Sequence, residues 1–231
     1  MLVLSPNNTK QKKGLTQNNM TKLTSLFSSA ALALALVSSA SATTVTIGGT
    51  AVAGEGVETS VQGATTMTFD GLKALPAGFS AIGTTPAIPL VSGSLYGVYQ
   101  APTGDTSTYL TTGAGAIVDL ALAPGTTYFG FYWGSADTNN DFQIDESNGS
   151  ILNINGTQLG ALSGAAINRS NSYFVNFYAD PGTTFTSAGF SSTQDSFELD
   201  NIATATPEPA SIATLAGGLL IVAGAIRRRK A

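Results

Sequence analysis

Four oxygen-bearing side chains in the middle of the chain have the spacing of a calcium-binding loop. They take the first, third, fifth and ninth places of an EF-hand-like loop, and hard cations prefer such clustered oxygens: Asp137, Asn139, Asp141 and Asp145. The pattern then breaks, because Phe142 stands where a glycine makes the sharp turn and Asn148 stands where a bidentate glutamate is needed. The spacing therefore suggests a metal without completing the site.

Two other interpretations fit the same acidic segment. Asp and Asn side chains in turns accept hydrogen bonds from their own backbone, which needs no metal. A calcium site of sandwich-type geometry could instead borrow Glu198 or Asp200 from the end of the chain. The expectation for cofactors is therefore none, with Ca²⁺ as the alternative.

Aromatic residues crowd the stretch just before this segment, from Tyr128 to Trp133. Side chains alternate along an extended strand, so Phe129, Phe131 and Trp133 share one face and Tyr128 lies on the other. One interpretation places the first set in a protein core. The other exposes Trp133 at the strand end as a stacking platform for a sugar ring.

The chain has no cysteine and no histidine. Disulfides, thiolate metal sites, Ser/His/Asp triads and the commonest zinc ligand are therefore excluded. Two carboxylates alone can hydrolyse a glycosidic bond, but no motif singles out a pair. The sequence thus favours a protein that is not an enzyme.

Short runs of β-branched and aromatic residues, separated by Gly, Thr, Ser and Asn, dominate residues 43–205. They predict ten strands: Thr44–Ile47, Thr65–Phe69, Leu95–Tyr99, Ala116–Leu122, Thr127–Trp133, Asp141–Asp145, Ser150–Ile154, Tyr173–Tyr178, Thr184–Phe190 and Ser196–Ala203. The predicted fold is an all-β, antiparallel, jelly-roll-like sandwich. Asn155-Gly156 is expected to form a tight hairpin turn, and Gly71–Pro102 a long irregular connection.

The C-terminus has three consecutive features. Pro207-Glu208-Pro209 is held extended by its prolines, and an uncharged apolar run from Ala210 to Ile226 follows. At about 1.5 Å per residue this run reaches roughly 25 Å as a helix, which suits a single transmembrane helix in a thin bilayer. The cations that end the chain would hold this terminus in the cytoplasm: Arg227, Arg228, Arg229 and Lys230.

This order of motif, apolar span and basic stop resembles the PEP-CTERM sorting tail of bacterial exosortase substrates. The resemblance covers residues 206–231 and is carried by Pro207, Glu208, Pro209, the apolar run and the four terminal cations. It implies that a membrane-embedded cysteine transpeptidase recognises the motif, cuts near it, and releases the protein or attaches it at the cell surface. The alternative is a plain tail anchor with a proline hinge.

The N-terminus predicts export by the same route. From Met20, Lys22 supplies a positive region and Leu26–Val37 a short apolar core, and Ala40-Ser41-Ala42 is a small-x-small site for signal peptidase. Residues 1–42 are therefore expected to be a signal peptide, whose true start is Met1 or Met20. The mature chain would begin at Thr43.

Charge is distributed unevenly along the chain. The exported segment keeps two of the ten cations, Lys73 and Arg169, and all fourteen acids if Glu208 stays with it, so two minus fourteen then gives a net charge near −12. Such a domain repels nucleic acid and anionic lipid headgroups. The expected partners are signal peptidase, the exosortase-type enzyme, the inner membrane before processing and, further out, extracellular polysaccharide.

The exported body also resembles a group of PEP-CTERM surface proteins with a Trp-Gly-Ser-x-Asp-x-x-Asn motif and a Phe-Glu-x-Asp-Asn strand. The matching positions are Trp133, Gly134, Ser135, Asp137, Asn140, Phe197, Glu198, Asp200 and Asn201. The resemblance implies an exported β-rich protein of the cell surface or extracellular matrix with a structural or adhesive role. A carbohydrate-binding module of the envelope is the alternative.

Overall fold

The computed structural model describes residues 42–83, 89–168, 170–194 and 196–206. In chain order the elements are β1 (Thr44–Ile47), β2 (Thr50–Val52), β3 (Gly56–Glu58), β4 (Thr65–Met67), β5 (Phe79–Ile82), β6 (Leu90–Ser92), β7 (Thr108–Thr112), β8 (Ile117–Ala121), β9 (Tyr128–Trp133), β10 (Asn140–Glu146), β11 (Ile151–Asn155), α1 (Gly156–Ser163), β12 (Tyr173–Tyr178), β13 (Phe185–Ser192) and β14 (Phe197–Ala205). The predicted all-β, antiparallel class is confirmed.

Two sheets face each other across one core. The seven-stranded sheet has the order β1-β12-β9-β14-β7-β6, with β4 also paired to β14, and the five-stranded sheet has the order β11-β10-β13-β8-β5. From β7 onward, four strands lie in each sheet and the chain crosses between the sheets repeatedly, as in a jelly roll. The strands β2 and β3 form a separate hairpin.

Aromatic side chains fill the space between the sheets. Phe131 of β9 lies 4.9 Å from Phe142 of β10 and 5.3 Å from Phe190 of β13, measured between ring centroids. Phe142 is also 4.7 Å from Phe177 of β12. All four side chains are fully buried, as expected for the alternating inward face of a sandwich. The rings therefore connect both sheets into one apolar core.

A smaller layer covers the outer face of the seven-stranded sheet. Tyr128, Tyr132 and Phe174 project outward and are buried by Val57 of β3 and Val61 beyond it. Both faces of β9 are consequently buried, and every residue of that strand is inaccessible. The β2–β3 hairpin thus acts as a third layer of the molecule.

Most predicted strands are confirmed, with ends within two residues, but two local predictions are wrong. Leu95–Tyr99 is a tight turn, in which Leu95 N donates to Tyr99 O at 2.9 Å and Tyr99 N donates to Leu95 O at 3.1 Å. Asn155-Gly156 is no hairpin turn, because Asn155 caps α1: its Oδ1 accepts from Thr157 N and Gln158 N. The hairpin joining β10 and β11 turns at Asn148-Gly149 instead.

The predicted irregular connection Gly71–Pro102 is also wrong in part, because it contains β5 and β6. In the described part of the chain, no helix is long and apolar enough to cross a bilayer. The predicted transmembrane helix, the sorting motif and the signal peptide up to Ser41 lie outside the described residues.

Candidate functional site

Trp133 cannot serve as the predicted sugar platform, because its side chain is fully buried. The indole stacks on Phe197 of β14 with a centroid distance of 4.8 Å and an interplanar angle of 12°. It therefore belongs to the core, as the first interpretation of the aromatic stretch proposed. Its Nε1 is buried without a hydrogen-bond partner.

The predicted EF-hand-like loop is wrong as well, since its second half is the strand β10. Asp141 and Asp145 alternate there with the buried side chains of Phe142 and Ile144. Four residues of extended chain separate the two carboxylates by roughly 13 Å, too far for one ion. In the preceding loop Asn139 donates to Ser192 Oγ at 3.2 Å, and the Asp137 carbonyl accepts from Gly156 N at 3.0 Å.

A polar groove lies on the outer face of the five-stranded sheet and receives the two aspartates of β10. Its volume is about 500 Å³, and Asp119 of β8 lines it beside Asp141 and Asp145. Gln143 Nε2 and Ser187 Oγ donate to the Asp145 carboxylate at 2.8 and 2.7 Å. Among the described residues, no three carboxylates stand in a ready-made metal-binding arrangement.

The two halves of the body motif meet around Glu198 on β14. Gly134 N donates to Glu198 O at 2.8 Å, and the Glu198 carboxylate accepts from Gln100 N, Ser135 Oγ and Ser196 Oγ. Burial raises the pKa of Glu198, and these hydrogen bonds oppose the rise. The motif residues here therefore join β9 to β14, a structural role that their spacing alone did not reveal.

A turn beside Glu198 presents exposed apolar residues. Tyr96 is 102% exposed and Leu95 is 51% exposed, while Tyr99 packs edge-on against Tyr109 at 6.5 Å. Between this turn and Glu198 is a cavity of about 520 Å³, also lined by Ser135. The structure thus exposes the aromatic ring of Tyr96 next to polar groups.

A further group of carboxylates lies under the β2–β3 hairpin, and it is here called the acidic cluster: Glu55, Asp70, Asp105 and Asp200. Asp105 is 5% exposed and Asp200 is fully buried, whereas Glu55 is half-buried and Asp70 is exposed. Ser107 Oγ lies 2.7 Å from Asp105 Oδ1 and 3.3 Å from Asp200 Oδ2. Ser107 N also donates to Asp105 Oδ1, at 2.8 Å.

Backbone features bring the acidic cluster together. Asn201 has a positive φ of 52°, at a bulge where the pairing of β14 with β9 shifts register. Its Nδ2 donates to Glu55 O at 2.6 Å and to Val57 O at 3.2 Å, so the bulge fastens the β2–β3 hairpin beside Asp200. The backbones of Glu55 and Asp105 also form an isolated antiparallel β-bridge.

Burial and mutual repulsion raise the pKa of two carboxyl groups in this cluster. Burial raises the pKa of Asp200 well above its ordinary value, and the charges of Asp105 and Asp70 raise it further. Burial and the charge of Asp70 also raise the pKa of Glu55. The sequence interpretation had named only Asp200 among these four residues, because the four are scattered over 146 positions and the other three carry no motif.

The residues predicted to be processed fall mostly outside the described chain. Ala40, Pro207, Glu208, Pro209 and the four terminal cations lie beyond its limits, whereas Ala42 is described and exposed. Thr43, the expected first mature residue, donates from its hydroxyl to Glu146 Oε1 at 2.7 Å.

Comparisons with known proteins leave the family of this chain open. No protein-family model and no curated protein matches it. Among solved structures, it is similar to the K2 cleaved adhesin domain of Lys-gingipain, with 14% identity and a TM-score of 0.28 over 62% of this chain and 99% of that one. A TM-score this low does not establish a common fold.

Proposed function

We propose that this is an exported bacterial protein of the cell surface or extracellular matrix, sorted through its C-terminal tail by an exosortase-type transpeptidase. The main support for this proposal is the position at which the folded body begins and ends. β1 starts at Thr44, one residue after the predicted mature N-terminus, and β14 ends at Ala205, two residues before Pro207. The sandwich thus occupies the segment between the two predicted processing sites.

The position of β14 adds to this proposal. β14 lies between β9 and β7 in the seven-stranded sheet, so the sorting motif follows an interior strand directly. Two residues of extended chain span roughly 7 Å, so the folded body would sit close to the membrane while the tail is gripped. Exosortase-type processing would then release the body or attach it to an envelope molecule.

A structural or adhesive role fits the chemistry of the body. Trp133 is part of the core, so the aromatic platform expected for a sugar-binding module is not at that position. The absence of cysteine and histidine from the chain favours a protein that coats or adheres over one that catalyses a reaction.

The test is intact mass and terminal peptide mapping of protein recovered from its native host. Wild-type chains should start near Thr43 and end near Pro207–Pro209. A Glu208→Gln variant should accumulate in the membrane with its tail uncut, while the matched carboxylate-to-amide variant Asp141→Asn is processed normally. Recovery of the wild-type protein with Arg227–Lys230 still attached would overturn the sorting role.

A second function, glycan binding, is favoured by one observation. Tyr96 presents its whole ring to solvent beside the cavity lined by Glu198 and Ser135. An exposed aromatic face next to hydrogen-bonding groups suits a sugar ring. Titration with the producer's own polysaccharide tests this function: Tyr96→Ala should abolish binding, whereas Tyr178→Ala, which removes a ring that is 36% exposed, should preserve it.

A further inference from the structure

The acidic cluster contains buried oxygens that lack a hydrogen-bond donor when all of its carboxyls are ionised. Of the buried side-chain polar atoms without a partner in the described part of the chain, three are carboxylate oxygens of this cluster: Glu55 Oε2, Asp105 Oδ2 and Asp200 Oδ1. Buried polar atoms normally have a partner, so this concentration at one place needs an explanation.

The four carboxyls stand in two pairs. Asp105 and Asp200 share a side-chain hydrogen bond, and so do Glu55 and Asp70. A hydrogen bond between two carboxyls needs a proton on one of them, since an ionised carboxyl only accepts. Among the described residues, no three carboxylates are placed to bind a metal ion. A proton held between the two members of each pair therefore supplies the missing donors.

Ser107 cannot replace these protons. Its hydroxyl faces Asp105 and Asp200, and it also hydrogen-bonds Glu55. A serine hydroxyl has a single proton, so it donates to one carboxyl at a time. Burial raises the pKa of Glu55 and of Asp200, and the charges that raise them further belong to other carboxylates. Full ionisation would therefore place like charges side by side with too few donors.

Another buried carboxylate of the same fold shows the contrast. Glu146 is 5% exposed, and it accepts hydrogen bonds from Thr43 Oγ1, Thr183 Oγ1 and the backbone N–H of Asp180. Both of its oxygens are satisfied. The fold can therefore supply donors to a buried carboxylate, yet at the acidic cluster it places carboxyls against one another.

Other titratable groups surround the cluster. Tyr132 of β9 and Tyr109 of β7 each donate a hydroxyl proton to a backbone carbonyl at 2.6 Å. Burial above all, with the charge of Asp105 among the smaller causes, raises the pKa of both tyrosines, so they stay neutral while the carboxyls titrate. Glu198 of β14 faces its own donors, away from the hairpin. The remaining charged groups on the adjoining segments are Glu58 of β3 and the exposed Lys73 after β4.

The pairs lie where the β2–β3 hairpin joins the sheet. Glu55 belongs to the hairpin, whereas the other three carboxyls belong to the body. Residues adjacent to two of those three fasten the hairpin, since Thr106 N donates to Gly54 O at 2.8 Å and Asn201 Nδ2 donates to Glu55 O at 2.6 Å. Repulsion among ionised carboxyls would act directly on these contacts.

We propose that the acidic cluster is a pH-dependent latch, which holds the β2–β3 hairpin on the seven-stranded sheet in acid and loosens it as the medium becomes alkaline. With its proton, the Glu55–Asp70 pair joins the hairpin to the body directly, and the other pair carries a single charge beside it. Loosening would uncover the outer face of β9, which the hairpin buries. This latch is independent of the proposed processing of the tail.

The direction of the pH dependence follows from proton linkage. Burial, with the charges of Asp105 and Asp70, raises the pKa of Asp200 from an ordinary value of about 4 to about 8. Opening the hairpin lets water reach these carboxyls and lowers their pKa, so the closed form binds more protons than the open form. The latch is therefore complete below about pH 4 and weakens as pH rises toward 8.

Hydrogen exchange at single-amide resolution, on the full chain in detergent between about pH 5 and pH 8, tests the latch. The Thr106 amide reports opening, because its acceptor is Gly54 of the hairpin. Its protection is measured against an unstructured peptide of the same sequence, which removes the direct effect of pH on exchange. We expect protection to fall at least tenfold over this range, since each proton released on opening shifts the equilibrium up to tenfold per pH unit.

The Leu122 amide shows whether the opening is local. It donates to Thr186 O at 3.0 Å in the five-stranded sheet, away from the hairpin. Leu122 should stay more protected than Thr106 at every pH, because the body remains folded while the hairpin loosens.

Three variants test which groups respond. Asp200→Asn keeps the shape of the side chain but cannot ionise, and should remove most of the change with pH. Asp70→Asn alters an exposed residue, so it folds even if the first variant does not, and should roughly halve the change on a logarithmic scale. Asp141→Asn, an exposed carboxylate in the groove of the five-stranded sheet, is the control and should behave like the wild-type protein.

The outcomes separate a latch from a passive cluster. A fall in Thr106 protection that is reduced in Asp70→Asn and retained in Asp141→Asn supports the proposal. Constant Thr106 protection across this pH range would overturn it. Equal protection of Thr106 and Leu122 at every pH would overturn it as well, because the hairpin would then open only with the whole fold. An undiminished fall in Asp70→Asn would do the same, since the hairpin's own pair would not take part.

Discussion

The central strands β9 and β14 of the seven-stranded sheet are buried on both faces, but the two faces are buried by different chemistry. On β14, Phe197 and Leu199 point inward to the aromatic core, while Glu198 and Asp200 point outward beneath polar segments. On β9, the inward face carries phenylalanine and tryptophan, and the outward face carries tyrosine. The same strands thus supply an apolar interior on one side and a polar interior on the other.

The two faces are therefore stabilised by different interactions. The inner face is covered by the five-stranded sheet and is stabilised by dispersion and the removal of apolar area from water. The outer face is covered by β3 and the chain that follows it, and each buried oxygen there needs a donor or a cation. The inner face should therefore determine global stability, and the outer face should respond to local contacts, pH and ions.

The largest effect is expected from Phe131→Ala in the inner face. Its ring lies within 6.1 Å of the rings of Phe142, Phe190 and Phe197, and of others in the core. Removing it leaves a cavity between the sheets and should lower the free energy of unfolding by about 4 kcal/mol. Denaturant titration monitored by the fluorescence of the one tryptophan measures this loss.

Ile151→Ala is the matched control for that experiment. Its side chain is 59% exposed on β11, so the same kind of truncation should change stability by less than about 0.5 kcal/mol. Equal losses for the two variants would contradict the assignment of the core to the inner face.

The inner face was the part of the molecule that could be predicted from the sequence. Phe129, Phe131 and Trp133 occupy every second position of a strand, and this alternation depends only on local geometry. Strands as short as β2 and β3 lack that signal, since three residues cannot show a period. Asn155 had the residue type of a hairpin turn, but Gln158 three residues later completed a capping box that the turn assignment overlooked.

The acidic cluster could not be predicted for a different reason. Its residues come from the β2–β3 hairpin, the turn after β4, the segment before β7, and β14 itself. Only the tertiary pairing of these segments places them together. The calcium-loop hypothesis failed because its second half overlaps the strand predicted at Asp141–Asp145, which the structure confirms as β10. There the tertiary requirement to bury Phe142 and Ile144 decided the conformation.

A smaller effect is expected from Gly56→Ala, which disturbs the outer face alone. Gly56 has a φ of 75°, and an added Cβ would lie 2.9 Å from Cδ1 of Tyr132 and closer still to Cε1. Backbone strain and overpacking together should reduce the free energy of unfolding by about 3 kcal/mol. Thermal unfolding measures the change.

Gly63→Ala separates strain from contact. Its φ of 79° is nearly the same, but a Cβ there meets nothing within 4 Å. It should therefore cost only about 1 kcal/mol, the penalty of the left-handed backbone. If both alanine variants lose the same stability, packing of the β2–β3 hairpin on Tyr132 contributes nothing and the outer layer is weaker than its burial suggests.

The smallest expected effect concerns Tyr128, whose hydroxyl is buried in the outer face. Its Oη lies 2.6 Å from Thr59 Oγ1 and donates to Asn176 Oδ1 at 2.7 Å, and burial raises its pKa to about 12. The folded state holds the phenolic proton more tightly than the unfolded state, whose tyrosine pKa is about 10. The stability that Tyr128 contributes should thus be complete below about pH 10 and decline as pH rises toward 12. Subtracting the tyrosinate absorbance of Tyr128→Phe from that of the wild-type protein isolates this ionisation, with circular dichroism confirming that both are folded. If the rise in the difference absorbance is already complete near pH 10, water reaches the hydroxyl. The polar interior of the outer face would then be accessible to solvent, unlike the apolar core of the inner face.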